Sequence, residues 1–286
     1  MTLNAHGPVA VITGASAGIG KSAARMLVGM GWQVIGTGRD PSRSAVAIAE
    51  IEGAAQNSGS FTMLRVDFDV MAQVSLLADE IIALTPRIDA LVLNAGGVRD
   101  AMVITPDGLE ATFAANHVAH FLLTRKLMSV LEASGARVIS TSSDAHEYCP
   151  AINWEDLGYT ANYTAGAAYC QAKLANLLFT RELAKRGAAQ GITANAIHPG
   201  AVTSNFWSHG DEVFQTRLAQ IRESTVSPDA AAQTIVQLAS SPEAAAITGK
   251  YYFMGALRDP SAAALDDAAA ARLWDVSDRL LAKLGH

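Results

Sequence analysis

The 286-residue sequence predicts an α/β fold, a doubly wound parallel sheet of about seven strands with helices on both faces. Three observations carry that expectation. Short β-branched apolar runs alternate with longer segments of helical period along the whole chain. A turn with three glycines in seven residues, Gly14 to Gly20, joins the first such run to the first helical segment. No stretch rich in Pro, Gly or Ser, no low-complexity tract and no block of like charge divides the chain, so residues 1–286 are expected to form a single domain.

Taken in order, Val9–Ile12 is the first strand and Lys21–Met30 the first helix. The pattern then repeats: Gln33–Gly36 before Ser42–Ala55, Phe61–Val66 before Met71–Leu84, and Ile88–Leu93 before a helical stretch to Leu131. Arg137–Thr141 is the fifth strand, Gly166–Arg186 a long helix, Gly191–Ile197 the sixth strand and Lys250–Phe253 a short seventh. Ser261–Leu284 reads as an Ala-rich amphipathic helix whose Leu265, Leu273, Trp274 and Leu280 pack on the body.

Composition narrows the function. Half the residues are apolar and 17% charged, a balance that builds a packed core rather than a disordered chain. Lys and Arg number 21 against 27 Asp and Glu, and the net charge of −6 argues against nucleic acid as a partner. Cys149 and Cys170 are too few for a disulfide framework, and no Cys/His cluster has zinc spacing, so no metal is expected and a reducing compartment fits. The first twenty residues carry no charge, but Asn4, His6, Pro8, Gly14, Gly18 and Gly20 interrupt them short of membrane-spanning length. The sequence therefore predicts no membrane anchor and a cytoplasmic location.

The stretch Thr13-Gly14-Ala15-Ser16-Ala17-Gly18-Ile19-Gly20-Lys21-Ser22 satisfies three patterns. As Gly-x-Ser-x-Gly it has the form of a hydrolase nucleophile elbow centred on Ser16, but fifteen upstream residues cannot supply the earlier strands and oxyanion loop. As a nucleotide triphosphate loop it ends correctly in Gly20-Lys21-Ser22 but has Ala15 where the pattern requires glycine. As a dinucleotide loop, Gly14, Gly18 and Gly20 permit a tight turn and bring pyrophosphate to the helix N-terminus, where free N–H groups and the dipole favour anions.

Here the sequence resembles the short-chain dehydrogenase/reductase family. Thr13, Gly14, Gly18 and Gly20 match its glycine loop, and Asp67, Asn94-Ala95-Gly96, Tyr169-x-x-x-Lys173 and His198-Pro199-Gly200 follow in family order. The run from Ala168 to Thr180, with Gly249-Lys250-Tyr251-Tyr252 and Arg272-Leu273-Trp274, is similar to the retinol dehydrogenase-like branch, which also includes WW-domain oxidoreductases and protochlorophyllide reductases. The resemblance covers the chain from about Val9 to the C-terminal helix and implies a single-domain Rossmann fold. It also implies that Gly14, Ser16, Gly18, Ile19, Gly20, Asp67, Asn94, Ala95, Gly96, Pro199, Gly200, Val202 and Thr203 contact a dinucleotide. Lys173 would hold the nicotinamide ribose, and Val202 and Thr203 the carboxamide.

Carbonyl reduction needs a hydride donor, a group that stabilises charge on oxygen, and a proton donor at that oxygen. Of six tyrosines only Tyr169 has a lysine four residues later, Lys173, on the same helical face. A phenol with a pKa of about 10 is a poor base near neutrality, and an adjacent ammonium stabilises its phenolate. Strand five runs into Ser142-Ser143, and the family's catalytic serine matches Ser143, which would bond the reacting oxygen. Asn116 matches the family's helix asparagine, which anchors a water linking Lys173 to solvent. His146 reads as a loop histidine near the substrate, and His117 and His120 as structural.

Strand two ends Gly36-Thr37-Gly38-Arg39-Asp40, with Gly38 where NAD enzymes of this fold place a carboxylate and Arg39 next to it. NADP is favoured, with NAD possible if Asp40 serves the ribose. Two lobes, 144–165 and 204–225, carry Tyr148, Trp154, Tyr159, Tyr163, Phe206, Trp207 and Phe214, an excess of aromatic residues that points to a bulky, apolar small-molecule substrate. The sequence thus predicts an NADP-dependent alcohol dehydrogenase or carbonyl reductase, able to form a homo-oligomer. The competing reading is a sensor that binds NAD(P) without turnover.

Overall fold

The computed structural model describes residues 7–203, 210–220 and 225–286. Seven parallel strands, β1 (Val9–Ile12), β2 (Gln33–Gly38), β3 (Ser60–Arg65), β4 (Ala90–Leu93), β5 (Arg137–Thr141), β6 (Thr193–His198) and β7 (Tyr251–Phe253), lie in the order β3-β2-β1-β4-β5-β6-β7. An eighth, β8 (Ala256–Leu257), pairs antiparallel with β7 and closes the edge. The sequence reading of about seven strands omits β8 because two residues are too short to show a period of two.

Successive strand residues face opposite sides, so each strand feeds two cores. Val11, Ile35, Leu91, Val138 and Ala196 pack on one side, under α3 (Met71–Leu84), α5 (Ala119–Ser134) and α6 (Ala165–Arg186). Ala10, Ile12, Val34, Val92, Ile139 and Ile197 pack on the other, under α1 (Gly18–Gly29), α2 (Pro41–Glu52) and α8 (Pro228–Ser240). Burial on both faces explains why these strands read as continuous apolar runs. α2 starts one residue before its expected position because Asp40 caps it, accepting from the Arg43 N–H at 2.7 Å, with Pro41 in the first turn.

Two expectations need correction. The segment after β4 is not helical from its start: residues 94–110 form an extended loop with a turn at Thr105–Gly108, because Pro106-Asp107-Gly108 is turn chemistry. Helix begins only at Ala111, where the Glu110 carboxylate accepts from the Thr112 and Phe113 N–H groups, both at 2.8 Å. It runs from α4 (Ala111–Phe113) through one π turn, Ala114–Val118, into α5. At the C-terminus, Asp266 interrupts the expected helix: a 3-10 turn covers Ala262–Leu265, Asp266 caps α9 (Asp267–Lys283), and Leu265 stays exposed. Leu273 and Trp274 are buried as expected, with Trp274 between the guanidinium groups of Arg125 and Arg186.

The strand order reverses between β1 and β4. In sheets of this kind ligands bind at that switch point, beyond the carboxyl ends of the strands.

Candidate active site

One continuous cavity of about 1990 Å³ opens there. Sites for a single drug-sized ligand occupy roughly 300–1,000 Å³, so this one has room for a dinucleotide and a second molecule. All but two of the predicted site residues line it: Gly14, Ser16, Gly18, Ile19, Arg39, Asp67, Asn94, Ala95, Gly96, Ser143, Tyr169, Lys173, Pro199, Gly200, Val202 and Thr203. The exceptions are Gly20, which lies beneath the loop, and Asn116, which acts through a neighbour of the cavity wall.

The adenosine end is built by the glycine loop and the end of β2. Gly20 packs on the Gly14 carbonyl, where a Cβ would stand 2.4 Å from the oxygen, so only glycine lets the turn close. Among the described residues no side chain caps α1, which leaves its first N–H groups facing the cavity for an anion. Lys21 instead pairs with Glu50 at 2.5 Å, so the triphosphate-loop reading does not hold. The Arg39 guanidinium lies 3.5 Å from Asp67 and 3.7 Å from Asp69. Asp69 is itself held by Arg99 through both carboxylate oxygens, at 2.5 and 2.7 Å, and burial raises its pKa. Asp40 points into the first turn of α2, and the Arg43 N–H holds its carboxyl below the usual carboxylate range.

At the floor, Thr13 joins the glycine loop to β4. Its Oγ accepts from the Asn94 N–H at 2.8 Å and the Ala95 N–H at 2.9 Å, and the Asn94 side chain donates back to the Thr13 carbonyl at 3.1 Å. Asn116 sits buried in the π turn, a feature frequent at functional sites. Its Oδ1 accepts from the Gly97 N–H at 3.2 Å, and its Nδ2 donates to the carbonyls of Gly97 at 2.8 Å and Thr112 at 2.7 Å. It thereby fixes the 94–97 loop that lines the cavity.

β5 delivers the two serines to different places, as alternation requires. Ser142 Oγ turns inward and donates to the Lys173 carbonyl at 2.8 Å. Ser143 faces the cavity, accepts from the Ala145 N–H at 3.1 Å and donates to Asp144 Oδ1 at 3.1 Å. α6 brings Tyr169 and Lys173 beside it. Burial pushes the Tyr169 phenol well above its ordinary value, and a hydrogen bond with Ser143 opposes that rise. Burial pulls the Lys173 ammonium down to about 7. Its Nζ lies 5.3 Å from the Tyr169 ring centroid and donates to the Thr141 carbonyl at 3.1 Å.

The histidines sort differently from the reading for His146. That ring is fully buried, with Nδ1 2.6 Å from the Ser143 carbonyl and Nε2 accepting from the Ser261 N–H at 3.1 Å, so it braces the wall from behind instead of meeting substrate. Among the described residues His117, 2.8 Å from Ser277, and His120 have no carboxylate partner, and burial lowers both to about 3. Of the lobe aromatics, Tyr148, Tyr159 and Phe214 line the cavity, and Phe214, on α7 (Glu212–Gln220), meets Tyr169 edge-on at 5.8 Å. Trp154 packs outward under Arg272, and Tyr163 bonds the Ala101 carbonyl at 3.3 Å. Phe206 and Trp207 lie outside the described residues.

Several lining residues carry no local sequence signal. Asp69 and Arg99 meet only because β3 and β4 end at the same edge of the sheet. His198 stacks on Phe253 with centroids 5.0 Å apart and reaches Asp144 at 3.5 Å, and Arg258 arrives from beyond β8. Neither cysteine is in a disulfide, and both are buried at the cavity wall. Among the described residues no helix is long and apolar enough to cross a membrane, and no three His, Cys, Asp or Glu residues are placed to hold a metal ion.

Residues 8–212 match the short chain dehydrogenase family. The chain belongs to this family. It is 37% identical to human retinol dehydrogenase 13 over 282 residues, covering 96% of this chain and 85% of that one. Mouse retinol dehydrogenase 14 is 33% identical over 289 residues, again covering 96% and 85%. Among solved structures, an uncharacterized protein from Mycobacterium paratuberculosis superposes with a TM-score of 0.76 at 30% identity, covering 98% of this chain and 97% of that one. The chain is therefore a retinol dehydrogenase-like member of an oxidoreductase family, and a nicotinamide dinucleotide is the cofactor this crevice fits.

Proposed function

We propose that this short chain dehydrogenase is an NADP-dependent oxidoreductase that interconverts a bulky, apolar alcohol and its carbonyl compound. The observation that carries the reading is the gathering of Tyr169, Ser143 and Lys173 at the cavity wall, with Ser143 hydrogen-bonded to the Tyr169 hydroxyl and the Lys173 ammonium over its ring. When bound, the nicotinamide supplies or accepts the hydride. In the reducing direction Tyr169 Oη gives its proton to the substrate oxygen. Ser143 turns its hydroxyl from Asp144 to that same oxygen and stabilises the charge that develops on it. The Lys173 cation offsets the phenolate left behind, and Asn116 holds the wall in register.

Arg39 supports NADP over NAD. Its ion pairs to Asp67 and Asp69 are long and half-exposed, of a kind worth about 0–1 kcal/mol, so a 2′-phosphate displaces them readily. A Cβ at Gly38 would stand 2.5 Å from Ser44 Oγ and 3.0 Å from Ser16 Cβ, so the carboxylate that NAD enzymes place there would require Ser44 to turn aside. Val98, Tyr148, Tyr159 and Phe214 supply an apolar wall for the substrate. The test is a panel of bulky aldehydes and ketones followed by NADPH absorbance, repeated with NADH. The expected result is turnover that prefers NADPH. Binding of NADPH without its oxidation by any member of the panel would overturn the reading in favour of a sensor.

A further inference from the structure

We infer that His120 is a positioning residue that ties the cofactor floor to the Asn116 carbonyl, serving dinucleotide binding through one ring nitrogen and the proton-handling wall through the other. The ring is buried between the two, 3.0 Å from Thr13 Oγ at Nε2 and 3.1 Å from the Asn116 carbonyl at Nδ1. Which nitrogen carries the proton follows from the partners. A carbonyl oxygen only accepts, so Nδ1 is the N–H that donates to Asn116. Burial keeps the imidazole neutral, so Nε2 is an acceptor. Thr13 Oγ spends its lone pairs on the Asn94 and Ala95 N–H groups, which leaves its own proton to donate, to Nε2 at 3.0 Å or to the Val92 carbonyl at 3.3 Å. With Nδ1 donating to Asn116 and Nε2 open only as an acceptor, the chain Asn94/Ala95–Thr13–His120–Asn116 runs in one direction, the Val92 carbonyl being the alternative acceptor of the Thr13 proton.

The chain spans the site. Thr13 and Asn94–Gly97 form the floor under the dinucleotide crevice, and Asn116 sits in the π turn, where the Ala119 N–H reaches back to the Ala114 carbonyl. His120 is one turn further along and fixes the direction of the Asn116 carbonyl. Phe68 meets the ring edge-on at 5.4 Å. Lys173 is close enough for its charge to oppose protonation of the ring. No charged group of opposite sign faces it among the described residues, so the ring works by geometry and not by titration.

Two conservative substitutions separate the two halves. The Asn carboxamide nitrogen falls near the position of Nδ1, so His120→Asn keeps the donor to Asn116 and loses the Thr13 contact. Gln reaches the position of Nε2, so His120→Gln keeps an acceptor for Thr13 and loses the bond to Asn116. In the full-length protein His120→Asn is expected to weaken NADPH binding about tenfold with kcat nearly unchanged. His120→Gln is expected to lower kcat about tenfold and displace its pH profile, with NADPH affinity nearly unchanged. Imidazole ¹⁵N shifts of the wild-type protein should show the Nδ1–H tautomer. The opposite tautomer, parallel losses in both variants, or no loss in either overturns the inference. The kcat arm rests on the proposed redox function: absence of turnover by the wild type would defeat that function, while the tautomer and the NADPH affinities still decide the role of His120.

Discussion

The floor of the crevice and the lobes around its substrate end are held by different kinds of contact. At the floor, adjacent parallel strands, the Thr13–Asn94–Ala95 bonds and the Asn116 carboxamide lock backbone to backbone in buried positions. In the lobes single side chains hold whole segments. Gln171, from α6, accepts from the Asn153 N–H at 2.6 Å and donates to the carbonyls of Asp156 and Leu157. Asp211 accepts from the Ala165 N–H at 2.8 Å, and Asp100 from the Gly210 N–H at 2.7 Å. The floor fixes where chemistry happens, and the lobes are free to change what is admitted.

The largest expected effect falls inside the crevice, away from the lobes. Tyr169→Phe removes one hydroxyl from a buried ring and should lower kcat by about a hundredfold to ten-thousandfold, with NADPH affinity nearly unchanged. Steady-state kinetics and a fluorescence titration check both halves. Retention of more than about a tenth of wild-type turnover would remove Tyr169 from the proton path.

Ser143→Ala should lower kcat on the order of a hundredfold, as loss of a charge-stabilising donor does. Its neighbour should behave in the opposite way. Ser142→Ala breaks a buried hydrogen bond to the Lys173 carbonyl, costing about 1 kcal/mol of stability, with a much smaller loss of turnover. Thermal unfolding and kinetics of both variants test whether one residue of register separates chemistry from support.

Arg39→Ala should weaken NADPH binding by about tenfold to a hundredfold and leave NADH almost unaffected. Gly38→Asp alone is not expected to convert the enzyme to NADH, because the new side chain meets Ser44 and Ser16. It should weaken both cofactors. A variant that gained NADH affinity would show that the end of β2 is as adaptable as a lobe.

What the sequence makes legible divides along the same line. β1 and β5 have their expected bounds because each carries buried β-branched residues, Val9, Val11 and Ile12 in one and Val138, Ile139 and Thr141 in the other. Tyr169, Lys173 and Ser143 are legible because spacing on one helix and alternation on one strand place them. The Asp69–Arg99 pair, the Asp144–His198 contact and the burial of His146 are not, because each depends on segments that meet only after the sheet has formed. The aromatic excess in the lobes gives a chemical character without a geometry: Tyr148 faces the cavity, whereas Trp154 faces away beneath Arg272.

The smallest expected effect on chemistry belongs to the lobe. Gln171 lies two residues from both Tyr169 and Lys173, about 200° around α6 from each, so its side chain leaves the helix on the far side from the proton path. Gln171→Ala strands the Asn153 N–H and two carbonyls, and the segment they belong to loses its anchor on α6. KM for a bulky carbonyl compound should rise about threefold to tenfold, a loss comparable with one or two net hydrogen bonds. kcat should change less, and NADPH affinity should not change. Amide exchange should quicken at residues 153–161 while β4 and β5 remain protected. If NADPH affinity falls in step with KM, the lobe and the floor are a single cooperative unit and the division between them fails. If the amides quicken and KM does not move, the lobe does not contact the substrate, and the apolar wall must be sought at Val98 and Phe214 instead.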